Sequence, residues 1–155
     1  MIEIAFLMNY PEFIPTLVQW FRTQWPNYYL GRTPTDIAQD FYSEANCVGL
    51  PVRLVAFAEF QLVGTVTLRE QAFQAFPEYH PGLGGLFVDE RYRGRGIGSE
   101  LVRAGMNLAR EQGFEKVYAT TGSARGILER LGWEWLQNIS HENEQVGLYR
   151  IEINL

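Results

Sequence analysis

Three glycines at alternate positions, Gly94, Gly96 and Gly98, lie between a short apolar segment and the first turn of an amphipathic helical pattern. Without Cβ atoms, glycines let a ligand or another stretch of backbone approach the chain closely. The N-terminus of the following helix presents free N–H groups and the positive end of the helix dipole to the same loop. Arginines add positive charge to this segment: Arg91, Arg93 and Arg95. Together these features predict a loop that binds a phosphate group.

The residues that the loop lacks narrow the choice of phosphate ligand. The chain has no Gly-Lys-Ser/Thr sequence here, which excludes a nucleotide P-loop. The third glycine of a dinucleotide-binding fingerprint would fall on Ser99, and no acidic ribose partner follows about twenty residues later, near Thr120. The alternative is a surface turn whose glycines only connect a strand to a helix.

The segment Arg93–Gly98 matches the Arg/Gln-x-x-Gly-x-Gly/Ala loop of the GCN5-related N-acetyltransferase (GNAT) superfamily. The resemblance extends upstream through the strand Leu86–Val88. It returns at Leu128–Trp133, which is similar to the late family segment of a tyrosine, two polar residues, leucine, glycine and an aromatic residue. In this superfamily the loop binds the pyrophosphate of acetyl-CoA through backbone amides. The resemblance therefore implies an acetyl-CoA site formed by ten residues: Leu86, Phe87, Val88, Arg93, Gly94, Arg95, Gly96, Ile97, Gly98 and Ser99.

The resemblance also implies how the pantetheine arm binds. It is expected between the fourth and fifth strands, where these strands splay apart. The N–H groups of Phe87 and Val88 are then the expected partners of the pantetheine and the thioester, a backbone form of oxyanion stabilisation. Gly82, Gly84 and Gly85 give unusual room beside the fourth strand. That room could equally accommodate a neighbouring side chain.

Apolar periodicity and turn residues divide the chain into strands and helices. Strands are predicted at 2–7, 53–58, 62–68, 84–88, 117–121, 133–139 and 146–153, with a bulge at Gly64 and loops at 70–81 and 140–145. Helices are predicted from about Pro11, from Thr33 to about Ala45, and at 98–111 and 124–131. The order strand, helix, strand makes the fifth strand parallel to the fourth. We expect one α/β domain over residues 1–155, GNAT-like, with a mixed, mostly antiparallel twisted sheet of seven strands flanked by helices.

An amine acceptor needs a group that takes up its proton. Candidates precede the predicted fourth strand: Glu59, Glu70, Glu78 and His80. Glu70 is the preferred catalytic base, because it ends the third strand and should lie beside the start of the fourth, on the substrate side of the cleft. His80 is the second catalytic candidate. The alternative for each is a solvated or packing residue.

Leu128 is a departure from the family pattern, since many relatives carry a tyrosine there that protonates the departing thiolate. A thiol with a pKa of about 8.5 leaves tolerably well without a dedicated acid. The departure therefore bears on turnover more than on binding of acetyl-CoA, and Tyr118, Tyr149 or water is left open as the acid. A covalent acyl-enzyme through Cys47 lacks an activating motif, so a buried structural cysteine is the preferred interpretation.

The composition sets outer bounds on function. A net charge of −5 argues against nucleic-acid binding and mildly favours an amine partner. One cysteine and two histidines leave no disulfide and no evident metal cluster. No apolar run reaches the roughly 18 residues of a membrane span, and the N-terminus lacks a signal-peptide pattern. A cytoplasmic enzyme without membrane contact suits all of this.

The predicted function is transfer of an acetyl group from acetyl-CoA to a primary amine of a small molecule, by direct attack on the thioester and without a metal. Two alternatives stay open. One is a protein or peptide N-acetyltransferase, which needs an open groove; the other is a non-catalytic module that binds acyl-CoA and regulates. The acceptor is not identified, and the oligomeric state is open between a monomer and a homodimer.

Overall fold

Seven strands form one sheet in the computed structural model, which describes residues 2–141 and 144–153. The strands are β1 (Ile2–Phe6), β2 (Val52–Ala58), β3 (Gln61–Arg69), β4 (Gly82–Val88), β5 (Lys116–Thr121), β6 (Glu134–His141) and β7 (Glu144–Glu152). Their order across the sheet is β1-β2-β3-β4-β5-β7-β6. The β4–β5 pair is parallel and the other neighbours are antiparallel. The predicted mixed sheet is confirmed.

Four helices cover the two faces of the sheet in the described part of the chain: α1 (Ile14–Gln24), α2 (Pro34–Ser43), α3 (Ile97–Glu111) and α4 (Arg125–Arg130). At the start of α2 the Asp36 N–H donates to the Thr33 hydroxyl at 3.1 Å, so that Thr33 caps the helix. Gly113 follows α3 with a φ of 90°, a conformation that ends a helix at low cost in glycine.

Strand alternation divides the core into two layers. On β2, Val52 and Leu54 pack with α3, whereas Val55 and Phe57 pack with α1 and α2. Arg53 lies on the second face, buried among these apolar side chains with 3% of its surface exposed. A charged residue at a core position needs partners, and these lie at the candidate site.

The predicted loop at 70–81 is irregular in the structure and folds back over the sheet on the side of α1 and α2. Its side chains pack on β5, β6 and β7 in a third apolar cluster that includes Ala72, Tyr118, Ile139 and Leu148. The loop also passes directly over Gly82, where an added Cβ would collide with the backbone of Gln71 and Ala72.

Most boundaries shift by a residue or two from the prediction, and three differences stand out. The helix α1 begins at Ile14, because Pro11–Phe13 forms a separate 3-10 turn. The strand β4 begins at Gly82, two residues early, because its first residues pair with β3 and β5. The polar segment 140–145 extends the last hairpin, with Ser140 opposite Gln145; residues 142–143 lie outside the described residues. This end of the hairpin is polar and carries no apolar alternation that would reveal it in the sequence.

Candidate functional site

The strands β4 and β5 separate soon after they begin. Only Gly82 and Leu83 of β4 pair with β5, opposite Tyr118 and Ala119. Further along, Leu86–Val88 borders a cavity of about 420 Å³ instead of a neighbouring strand. The splay that the family resemblance implies is therefore present.

The direction of the peptide groups in β4 decides which of them face the opening. The Asp89 N–H donates to the Val63 carbonyl of β3 at 2.8 Å. Since peptide directions alternate along a strand, Phe87 also turns its N–H toward β3, where it pairs with Thr65. The Val88 N–H and C=O face the opening, and the Val88 carbonyl accepts a hydrogen bond from Arg93 Nε at 2.8 Å. Of the two amides expected to serve the pantetheine, only that of Val88 is directed there.

The glycine loop has the shape that a phosphate needs. Gly94 and Gly96 have φ values of 77° and 81°, a left-handed conformation that favours glycine. No atom lies within 4 Å of where their Cβ atoms would be, so the space above the loop is open. The helix α3 begins at Ile97, and its first N–H groups face this space without intrahelical partners. The third glycine serves packing, because a Cβ on Gly98 would lie 2.8 Å from the Ile127 side chain.

The loop is held by the turn that precedes it. The Asp89 carboxylate accepts hydrogen bonds from the Arg91 backbone N–H at 3.2 Å and from the Arg91 guanidinium at 3.0 Å. The side-chain hydrogen bond from Arg91 is the main cause that lowers the pKa of Asp89. The Tyr92 hydroxyl donates to Gln61 of β3 at 2.6 Å, which ties the turn to the sheet.

Nine of the ten residues predicted for acetyl-CoA line the cavity: Leu86, Phe87, Val88, Arg93, Gly94, Gly96, Ile97, Gly98 and Ser99. The tenth, Arg95, stacks on the Tyr92 ring, 5.2 Å from its centroid, and lines a neighbouring depression with Arg91. Arg93 lies over the Phe87 ring at 5.4 Å.

Sequence reasoning missed the far wall of the cavity. It is formed by the end of α1 and by α4 with the turn before it, through Gln24, Trp25, Ser123, Ala124, Ile127 and Arg130. The spacing of Ala124, Ile127 and Arg130 puts them on one side of a helix, and this spacing was the sequence signal that could have indicated the wall. Arg130 gives the cavity a second cation opposite Arg93.

A buried ion pair lies under the middle of β4. Arg53 donates through Nε to Glu44 at 2.7 Å and through Nη1 to the Thr65 hydroxyl at 3.1 Å and the Gly85 carbonyl at 3.3 Å. Its guanidinium also packs against the Phe21 and Phe41 rings at 5.1 and 5.0 Å. Gly85 has a φ of 58° at a break in the β3–β4 register. Arg53 therefore supports the bulge that opens β4 toward the cavity.

Glu70 and His80 lie at the other end of β4. Glu70 does follow β3 beside the start of β4, as predicted, since Arg69 pairs with Gly82. That start is the closed end of the β4–β5 pair, however, and six residues separate it from Val88, about 20 Å of strand. The His80 ring accordingly packs on Phe114, 5.3 Å away, and its Nδ1 contacts Glu70. Glu70 thus lies beside the paired end of β4, and the catalytic role of both residues stays a prediction.

The candidates for a general acid also lie away from the cavity. Leu128 is 3% exposed in the core beneath α3, and its neighbour Ile127 faces the cavity instead. The Tyr149 hydroxyl donates to Glu129 at 2.8 Å, and burial together with this bond raises the pKa of Tyr149. Tyr118 is buried beneath the loop 70–81. Cys47, expected to be buried, is partly exposed in the segment between α2 and β2.

Among the described residues, no group of three or more histidine, cysteine, aspartate or glutamate side chains could hold a metal ion. Within the same residues, no helix has the length and apolar character required to cross a bilayer.

Comparison with known proteins agrees with this geometry. The model of the acetyltransferase (GNAT) family matches residues 14–133. Human N-acetyltransferase 8B is 33% identical over 133 residues, which cover 74% of this chain and 53% of the relative. The chain thus spans about half the length of the curated relatives it matches.

Solved structures share the fold at low sequence identity. An aminoglycoside 6'-N-acetyltransferase complexed with coenzyme A superposes with a TM-score of 0.79 at 17% identity, over 97% of each chain. A ribosomal alpha-N-protein acetyltransferase in complex with coenzyme A superposes with a TM-score of 0.75 at 13% identity, over 99% of this chain and 94% of the other. At these identities the similarity establishes the fold alone.

Proposed function

The chain belongs to the GNAT acetyltransferase family, and from this premise we propose that it transfers an acetyl group from acetyl-CoA to a primary amine of a small molecule. The observation that carries the proposal is the cavity in which an open strand edge, a glycine loop and a helix N-terminus meet. Each of the three offers backbone N–H groups that are free to bind a ligand.

The residues present fit acetyl-CoA. The left-handed loop at Gly94 and Gly96 leaves open space in front of the first N–H groups of α3, which suits a pyrophosphate. Arg93 and Arg130 line the same cavity and add positive charge for phosphate groups. The unpaired strand edge at Val88 suits the extended, amide-bearing pantetheine arm, because the N–H and C=O groups of this edge run along the cavity wall.

Acetyl-CoA supplies an activated thioester, and the chain supplies position and polarisation. The Val88 N–H is the donor directed to stabilise a developing oxyanion. Its place is fixed from both sides, since Arg93 holds the Val88 carbonyl and Asp89 is bonded to β3. Among the described residues, no carboxylate side chain lines the cavity. The proton of the amine therefore passes to solvent water in our proposal, and the rate should rise with pH as more amine becomes neutral.

A small acceptor is favoured by the side chains around the opening. The Trp25 ring lines the cavity and packs on Phe87 at 6.3 Å, with Trp20 on the same ring at 4.9 Å. On the other side, the loop 70–81 covers the start of β4. Bulky groups on both sides suit a compact amine better than a folded protein surface.

Two measurements test the proposal together. Calorimetry measures acetyl-CoA binding, and thiol release from acetyl-CoA is followed across a panel of small amines, free peptide N-termini and lysine peptides. We expect binding, and turnover with small amines above the hydrolysis background. If acetyl-CoA binds but no acceptor is acetylated, the non-catalytic module is favoured. If only peptides are acetylated, the protein or peptide N-acetyltransferase is favoured. Absence of acetyl-CoA binding would overturn the proposal.

A further inference from the structure

Arg69 occupies an unusual place at the end of β3. Its guanidinium lies flat against β4, so that a Cβ on Gly84 would lie 2.7 Å from Arg69 Cζ and would collide with Nη2. Only glycine at position 84 admits the side chain in this position. Strand pairing puts Arg69, Thr67 and Thr65 on the sheet face that carries α1 and α2.

Within the described residues, the Arg69 side chain forms no hydrogen bond and no ion pair. The contrast with Arg53, on the same face, is direct. Arg53 binds both carboxylate oxygens of Glu44, at 2.7 and 3.4 Å, together with Thr65 and the Gly85 carbonyl. The nearby carboxylate of Glu44 is therefore already paired with Arg53, and one positive charge of the two arginines, Arg53 and Arg69, stays uncompensated.

The surroundings make that charge costly. Burial and the neighbouring charge of Arg53 lower the pKa of Arg69. A guanidinium nevertheless stays protonated in proteins, so the repulsion is not relieved by loss of a proton. Solvent still reaches the residue, which is only partly buried. A cation held against repulsion, without a protein partner and open to solvent, is suited to an anion that comes from outside.

The position of Arg69 relates this anion to the reaction. Gly84 follows Leu83, the last residue of β4 that pairs with β5. Arg69 therefore stands where the two strands begin to separate, on the face where Phe87, Trp20 and Trp25 form an aromatic wall. The open edge begins at Leu86, which is two residues from Gly84, about 7 Å along the strand. A compact molecule can reach both Arg69 and the open edge.

We propose that the acceptor is an amino acid, and that Arg69 binds its carboxylate. A guanidinium and a carboxylate match as planar, two-point partners, which orients the acceptor as well as attracting it. Arg53 acts as a positioning residue, because it fixes the Gly85 bulge and adds positive potential while its own donors are occupied by Glu44, Thr65 and Gly85. This inference rests on the proposed acetyl transfer and specifies its substrate class.

Matched acceptors test the carboxylate directly. Initial rates are measured for each L-amino acid and for its amide, which keeps the amine and the side chain but lacks the negative charge. We expect the best amino acid to exceed its amide roughly 10- to 100-fold in kcat/KM, the range for one charge-assisted contact. Arg69→Gln should raise KM for the acid until the rates of acid and amide converge, and Arg69→Lys should restore part of the preference. Arg22→Gln, which changes an exposed arginine on α1, is the matched control.

Stability and binding give readouts that do not depend on turnover. Because Arg69 lacks a partner and is repelled by Arg53, Arg69→Gln should melt at or above the parent temperature, whereas a structural arginine would lower it on removal. The best L-amino acid should raise the melting temperature of the parent and not that of Arg69→Gln. Equal rates for acids and amides, or a shift that survives Arg69→Gln, would overturn the assignment while acetyl-CoA turnover still upheld the proposed function. Without acetyl-CoA binding the proposed function itself fails, and the melting experiment then judges the carboxylate site alone.

Discussion

Replacing Gly96 by aspartate or by asparagine separates the shape of the glycine loop from its charge. Both side chains have nearly the same size, and both residue types tolerate the left-handed conformation better than other side chains do. Gly96 is exposed, and no atom lies within 4 Å of the position that a Cβ would take. The two variants should therefore fold alike and differ only in a negative charge at the start of α3.

The cost to folding is small. At a φ of 81°, a non-glycine residue costs about 1–2 kcal/mol. For a chain of this size that corresponds to a melting temperature lower by about 2–8 °C. Aspartate should be no worse than asparagine, because a negative charge at the N-terminus of a helix interacts favourably with its dipole.

The cost to binding is larger for aspartate. A carboxylate roughly 6 Å from one phosphate charge repels it by about 3 kcal/mol at an effective dielectric constant of 20. The loop is exposed to solvent, so screening reduces this to about 1.5 kcal/mol for each charge. A pyrophosphate carries two such charges, about 3 kcal/mol in all, and the expected loss of acetyl-CoA affinity of Gly96→Asp relative to Gly96→Asn is therefore roughly 100-fold.

Calorimetric titration with acetyl-CoA at low and high salt measures this difference. The gap between the two variants should narrow as salt rises, because screening acts on the charge and not on the backbone. Equal affinities for Gly96→Asp and Gly96→Asn would refute a phosphate at this loop. If these equal affinities also lay below that of the parent, the shape of the loop and not a phosphate charge would govern binding.

Three further predictions concern other parts of the site. Leu128→Tyr should lose about 1–3 kcal/mol in urea titration by overpacking the core, whereas Ile127→Tyr, at the cavity wall, should alter thiol release more than stability. Glu70→Gln should change kcat/KM by less than about threefold, because Glu70 lies at the closed end of β4; a hundredfold loss that eases from pH 6 to 9 would instead identify it as the general base. Burial is the main cause that raises the pKa of Tyr29 to about 12, so the folded state keeps this proton more tightly. Stability should then be full below about pH 10 and decline as the pH rises from 10 to 12, and Tyr29→Phe should flatten that decline in urea titrations at each pH.

Sequence reasoning found the parts of the site that depend on local backbone chemistry. Loop glycines, the apolar strand before them and the amphipathic helix after them can all be identified from neighbours in the chain. Contacts between distant segments could not be identified in this way. Arg53 looks like one more polar residue near the start of a strand, and only the fold brings Glu44, Thr65 and Gly85 to it. Glu70 was placed beside the start of β4, as the structure has it. That this start is the closed end of the β4–β5 pair could not be predicted, because pairing fixes the neighbours of a strand without fixing where its partner departs.

The glycines of β4 show why the two kinds of signal differ. Sequence suggested that they make room for a ligand arm or for a neighbouring side chain, and the structure shows the second. Gly82 lies beneath the backbone of the loop 70–81, Gly84 beneath Arg69, and Gly85 beneath Arg53. The glycines of the following loop, Gly94 and Gly96, instead leave their space empty. One set of glycines thus packs beneath arginines and a loop, and the other leaves open the space in which we propose that the pyrophosphate binds. Gly84→Ala should therefore disturb acceptor selectivity, and Gly96→Ala should disturb acetyl-CoA affinity. The glycine pattern in the sequence does not distinguish these two properties.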